Sequence, residues 1–267
     1  MADVPNSSLI TYHSSLFSRI HRFTSVTSTN DIARQMAVAG YPEGTGVCAL
    51  EQTAGRGRQG RSWSSPTGEG LYLSVILRPR MLYPFVQLIP LAAALAVART
   101  LEGIYGVSPD IKWPNDIIVG GRKTCGILVE SSTESGRIDF AILGIGINIG
   151  QEEFPDDIRS TATSMLKETG LLIAPDDLLG PLLEGLEHWY RLLTTDPAGI
   201  IEAWEQSSSY ARDCRVTISS GDETFEGTTA GLSPTGALIV ELPGGDRREV
   251  LSGEVRLRRL KSEESHI

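Results

Sequence analysis

The sequence predicts an α+β chain in two parts, with strands and helices intermixed over residues 1–209 and a small all-β barrel over 210–267. Three observations carry this. Apolar runs of strand length alternate with segments of helical spacing through the first part. After Pro155 the pattern turns to helices. Beyond the "SSS" of Ser207–Ser209, which reads as a short linker, the strands are brief and joined by turn residues.

Taken in order, "STNDIARQMAVAG" has hydroxyl and amide caps at Ser28, Thr29 or Asn30. It carries Ile32, Ala33, Met36 and Ala37 at helical spacing and stops at Gly40. "GTGVCALEQ" and "GLYLSVILRP" read as strands, the second ended by Pro79. "FVQLIPLAAALAVARTLEG" is a long, Ala-rich helix, suited to close packing. "DIKWPND", "IIV", a Gly-Gly turn and "KTCGILVES" form a hairpin, and "IDFAILGIGINIG" is a strand apolar on both faces over much of its length. "PDDLLGPLLEGLEHWYRLLTT" places Leu178, Leu179, Leu182, Leu183 and Leu186 near one helical face, and "PAGIIEAWEQSS" follows it. The barrel strands are "RVTIS", "FEGTTAGL", "ALIVEL" and "EVRLRRL", with turns at "SPTG" and "PGGD". The tail after Lys261 reads as disordered.

Composition narrows the function. The 267 residues are 40% hydrophobic and 21% charged, ordinary for a globular protein. The balance of 33 acidic against 24 basic residues argues against nucleic acid as a partner. No apolar run is expected to reach the roughly 20 residues that span a bilayer, and the N-terminus lacks a signal peptide's basic start and apolar core. Cys48, Cys125 and Cys214 are too few and scattered for a disulfide scaffold or a metal site. A reduced, cytoplasmic enzyme without a membrane partner is the expectation.

Two clusters depart from that ordinary background. "EQTAGRGRQGRSW" spaces Arg56, Arg58 and Arg61 with Gly55, Gly57 and Gly60. The glycines break any helix and free the backbone, so a mobile cationic loop is expected that an anionic ligand would order; the bland alternative is a solvated surface loop. Its Gly-x-Gly-x-x-Gly letters match the dinucleotide fingerprint, but no helix follows to meet a pyrophosphate, so that reading is rejected. In "KWPND", Pro114 turns the chain out of its strand and gathers Lys112, Asn115 and Asp116 at one strand end. A lysine, an amide and a carboxylate suit a phosphate and its Mg²⁺, whereas the bland reading makes Asn115 and Asp116 plain turn residues. Lys123, past the Gly120–Gly121 turn, can reach the same place. Cys125 reads as a small apolar filler, Ser28–Asn30 as a helix cap or a site, and Trp63 as core or as a stacking surface.

"STN", "EQTAGRGRQGRSW", "SPTGEGLYLS", "KWPND", "RKTCGILVE" and "GIGINI", in this order, resemble the biotin–protein ligase family. "AGLSPTGALIV" and "LSGEVRLR" resemble that family's small C-terminal domain, and the likeness runs from about Ile20 to Leu260. The resemblance implies a mixed-sheet catalytic domain of the biotin/lipoate ligase type, class II synthetase-like, followed by an SH3-like β-barrel. It implies a reaction as well: ATP and biotin form biotinyl-5′-AMP, and the adenylate biotinylates a lysine of a biotin carboxyl carrier protein. Mg²⁺ accompanies ATP.

Carried over residue by residue, the resemblance gives the biotin site Ser28, Thr29, Asn30, Gln52, Gly55, Arg56, Gly57, Arg58, Lys123 and Gly126. Lys123 and Arg58 are the catalytic cations. Arg61, Trp63, Lys112, Asn115, Asp116 and Asn148 belong to ATP, and Asp116 with Asn115 to the metal. The short stretch before the first catalytic strand leaves no room for the N-terminal winged helix of many bacterial members, so the form without it is expected. Asp31, where Gln is common, and Gln59, where Arg is frequent, fall outside the matched contacts. A homodimer is left open. The rival readings are a lipoate–protein ligase, which lacks the arginine loop, and a biotin-sensing regulator, which needs a DNA-binding element.

Overall fold

The computed structural model describes residues 7–12, 14–80, 83–220, 223–251 and 253–257; the tail after Lys261 lies outside them, as do Ser252 and Arg258 of the last barrel motif. The elements run β1 (Ser8–Thr11), β2 (Arg19–Val26), α1 (Thr29–Val38), β3 (Thr45–Gln52), β4 (Gly70–Leu77), α2 (Leu88–Tyr105), β5 (Asp110–Lys112), β6 (Asp116–Val119), β7 (Arg122–Glu134) and β8 (Arg137–Asn148). Then follow α3 (Met165–Thr169), α4 (Pro175–Thr195), α5 (Pro197–Gln206), β9 (Arg212–Ser220), β10 (Glu223–Leu232), β11 (Leu238–Glu241), β12 (Arg247–Val250) and β13 (Glu254–Leu257).

β1 to β8 form one mixed sheet in the order β1-β2-β3-β4-β8-β7-β6-β5. Only β2 and β3 run parallel; the other neighbours are antiparallel. Period-two alternation sends Val75 and Leu77 to one face and Ile76 to the other, where it packs with Ala33, Met36 and Ala37 of α1. α2 and α4 cover the opposite face. Leu178, Leu179, Leu182, Leu183 and Leu186 are all at most 2% exposed, and each such burial stabilises by about 1.5–3 kcal/mol. The alanines of α2 let α4 approach until Gly185 faces the Ala96 backbone. With the turn before it, α2 is after all long and apolar enough to cross a bilayer, correcting the sequence expectation, but 67% of that window is buried inside the protein.

The C-terminal strands form an antiparallel sheet ordered β12-β11-β10-β9-β13, one strand richer than the sequence reading because of the short, polar β12. Val216, Ile218, Val240, Val250 and Val255 join the same apolar cluster as Leu88 and Leu91 of α2. The expected linker is stitched down. The Ser208 hydroxyl donates to the Ile111 carbonyl, and Ser209 donates through its backbone and its hydroxyl to Asp110.

Candidate active site

The floor of the site follows from glycine placement. Asp116, Gly126, Gly146 and Tyr72 stand in register across β6, β7, β8 and β4, so they share one face. Gly144 and Gly146 point there while Ile145 and Ile147 alternate into the core. A Cβ at Gly144 would lie 2.2 Å from Asn30 Oδ1, and one at Gly146 would lie 2.5 Å from Trp63 Nε1. At Gly126 it would meet the Trp63 ring at 2.8 Å. The bare strands thus let an amide and an indole rest directly on the sheet. Above them opens a cavity of about 510 Å³, walled by the start of α1, the arginine loop, the "WPND" turn and, from the C-terminal sheet, Val255.

One end of the cavity is lined by uncharged side chains, most of them tied into one hydrogen-bond network. Ser28 is the N-cap of α1 by backbone geometry, but its hydroxyl makes no capping bond. Gln52 Oε1 accepts from the Thr29 N–H at 2.8 Å and the Thr29 hydroxyl at 3.0 Å, while its amide donates to Ser65 Oγ at 2.9 Å. The Ser74 hydroxyl lies 2.7 Å from Thr29 Oγ1 and 2.6 Å from Asn30 Oδ1. The amide of Asn30 then donates to Glu130 Oε2 at 2.7 Å. Ser28, Thr29, Asn30 and Ser74 are all at most 4% exposed, so this network holds fixed geometry in a low dielectric.

The other end is charged. The arginine loop is a small hairpin rather than formless chain: Arg56 bridges Ser62, Gly57 N–H donates to Arg61 O at 2.7 Å, and Trp63 N–H donates to Gly55 O at 2.8 Å. Gln59 and Gly60 take left-handed φ values of 56° and 74° at its tip. Arg58 Nη1 reaches Asn115 Oδ1 at 3.5 Å. Burial pulls the Arg58 pKa down; the Asp116 charge opposes this and Arg61 adds to it. Lys123 Nζ is 2.6 Å from Asp116 Oδ1 and 5.3 Å from the centre of the Trp63 ring. The backbone of Lys123 is fixed on both sides, donating to Thr161 O and accepting from Thr163 N–H. Lys112 stands opposite Asp116 in the β5–β6 register, and Asn148 Nδ2 donates to Thr163 O at 3.0 Å.

The cavity wall thus brings together every site residue expected from sequence except Gly55. Gly55 lies behind the wall, where a Cβ would meet Trp63 O at 2.4 Å; its role is to let the hairpin close. Asp31, expected outside the matched contacts, is not part of the cavity wall, and its Oδ1 pairs with Arg56 Nη2 at 2.7 Å. Trp63 proves to be a half-buried surface above the glycine floor, and its Nε1 is buried without an acceptor among the described residues. The chain after the loop passes through turns into β4, with no helix to serve a dinucleotide. Cys125 is fully buried and burial pushes its thiol up, as a filler requires. Sequence reading missed Ser74, Glu130 and the two floor glycines of β8. A lone serine inside "LYLSVIL" and the alternate spacing of "GIG" were the available signals.

Comparison with known proteins agrees with this geometry. The Biotin/lipoate A/B protein ligase family matches residues 22–148, and the Biotin protein ligase C terminal domain matches residues 214–258. The biotin–[acetyl-CoA-carboxylase] ligase of Paracoccus denitrificans is 33% identical over 238 residues, covering 85% of this chain and 96% of that protein. The chain belongs to the biotin protein ligase family. Among its relatives, the bifunctional ligase/repressor of Bacillus spizizenii is 36% identical over 234 residues, 87% of this chain and 72% of that protein. The biotin protein ligase of Aquifex aeolicus, solved in complex with biotin and ATP, superposes with a TM-score of 0.77 at 31% identity over 90% of this chain and 99% of that one. The ligase fold is therefore an α+β mixed sheet with a small antiparallel C-terminal sheet.

Proposed function

We propose that the chain activates biotin with ATP to biotinyl-5′-AMP and transfers the biotinyl group to a lysine of a biotin carboxyl carrier protein or domain, in the cytoplasm. The observation that carries this reading is a convergence of cations. Arg58 arrives from the loop and meets Asn115, Lys123 arrives from β7 and meets Asp116, and the two pairs lie side by side at the glycine floor. A carboxylate and an α-phosphate at about 4 Å repel by roughly 4 kcal/mol in a protein-surface dielectric. Two fixed cations between them offset that repulsion and gain strength as the transition state spreads charge.

In the first step a biotin carboxylate oxygen attacks the α-phosphorus, the bond to the β-phosphate oxygen breaks, and pyrophosphate leaves. The neutral Ser28–Asn30 end holds the uncharged ring so that the carboxylate points at Lys123 and Arg58. Trp63 offers a flat face for adenine. In the second step the carrier lysine amine attacks the acyl carbon and AMP leaves, with the arginine hairpin keeping water from the mixed anhydride until then. The Asp116 carboxylate and the Asn115 amide oxygen are hard oxygen ligands that would hold a Mg²⁺ bound to ATP, whose charge would offset that of the phosphates. We place the boundary between catalytic and C-terminal units at 209/210.

Incubating the protein with ATP, Mg²⁺ and labelled biotin should release pyrophosphate, yield biotinyl-adenylate and label one carrier lysine. Failure to form adenylate, or a preference for lipoate over biotin, would end the reading.

A further inference from the structure

Arg56 is already committed. Its Nη2 lies 2.7 Å from Asp31 Oδ1 and 2.8 Å from Glu130 Oε2, and that same Glu130 oxygen accepts from the Asn30 amide. The arginine loop, α1 and β7 therefore meet at one nitrogen. Two carboxylates against one guanidinium leave little positive charge to offer an arriving anion. The family resemblance gives Arg56 a ligand contact; its surroundings give it a mechanical one.

We propose that Asp31 and Glu130 are positioning residues which, acting through Arg56, tether the arginine loop over the pocket and set how long the adenylate is retained. This rests on the biotin-ligase reading for its consequence, though not for its geometry. All three side chains are between 27% and 40% exposed, so the pairs add little to global stability, but they act on a hairpin whose tip at Gln59 and Gly60 is exposed. Glu130 carries a second function that separates cleanly from the first. A glutamine there keeps an acceptor for the Asn30 amide while removing the charge that holds Arg56.

The test uses the full chain with adenylate formed in place. Asp31→Asn and Glu130→Gln should each raise the adenylate dissociation rate by roughly two- to fivefold, the range open to partly exposed ion pairs. Melting temperature should stay near wild type in both, and the KM for biotin should stay near wild type in Asp31→Asn. Added salt should speed release from wild type more than from the double variant, in which only Arg58 and Lys123 still hold the anion by charge. Glu130→Ala should also raise the KM for biotin. Unchanged dissociation rates overturn the proposal, as does a melting temperature that falls in step with them, or a Gln variant whose KM for biotin rises as far as that of Ala. Limited trypsin digestion of the ligand-free protein reads the tether without the reaction. Cleavage after Arg58 or Arg61 should be faster in the variants, and equal rates would sink the tether even if wild type made no adenylate.

Discussion

At the Ser28–Asn30 end of the pocket, the buried side chains of Thr29, Asn30 and Ser74 share short hydrogen bonds and carry no charge. At the other end, Lys123 and Asp116 are 33% and 24% exposed and face each other as ions beside Arg58. The difference matches the two demands of the chemistry. A neutral ring is recognised by neutral donors and acceptors whose positions must not drift, because each misplaced buried group costs about 1–3 kcal/mol. A reaction that changes charge needs ions that can exchange one partner for another, and a partly wet site makes that exchange cheap. The glycine floor serves both, admitting Asn30 at one end and Trp63 at the other.

Substitutions at the two ends should therefore fail differently. Lys123→Ala should lower the rate of adenylate formation by about 10²–10³-fold, as loss of one oriented charge does. Its effect on melting temperature should be slight, because the side chain is a third exposed. Single-turnover kinetics beside calorimetry would show this, and equal loss of rate and stability would make the lysine structural. Arg58→Gly should speed adenylate release by roughly 10–100-fold, the worth of a charge-assisted hydrogen bond, and bystander lysines should become labelled. Wild-type retention in that variant would remove the loop from the account. Gly144→Ala attacks the neutral end: a methyl 2.2 Å from Asn30 Oδ1 must displace it. The KM for biotin should rise about tenfold with the KM for ATP unmoved, the scale of a modest overpacking penalty. Ser74→Ala is the mildest. It removes a buried hydroxyl between Thr29 and Asn30, costing about 1–2 kcal/mol of stability and raising the KM for biotin a few-fold. If it moved the KM for ATP instead, the division between the ends would be wrong.

Local signals made much of this legible beforehand. Apolar periodicity located α1, β3, β4, α2 and β8, because those elements bury wide faces and their spacing survives in the letters. β1 and β12 escaped because edge strands, half solvated, need no such pattern. In the site, "GRGR" and "KWPND" were visible through residue types that fit no ordinary surface. Gly55 stands apart from its neighbours only in the structure, because a loop's glycines look alike until one of them is seen against a backbone carbonyl. Asp31 and Glu130 were invisible for another reason: their pairing with Arg56 spans 25 and 74 residues, and no local rule couples charges so far apart.

The buried indole of Trp113, 2% exposed, donates a hydrogen bond to Gly236 O at 3.1 Å. The turn bearing Lys112, Asn115 and Asp116 is thereby braced from the far side of the molecule, and Leu88 and Leu91 close over the same glycine. A truncation after Gln206 would strip that brace, orphan the indole and wet the flank of α2. Weakened ATP use in such a fragment would report a sagging scaffold, even if the amputated strands never touched the nucleotide.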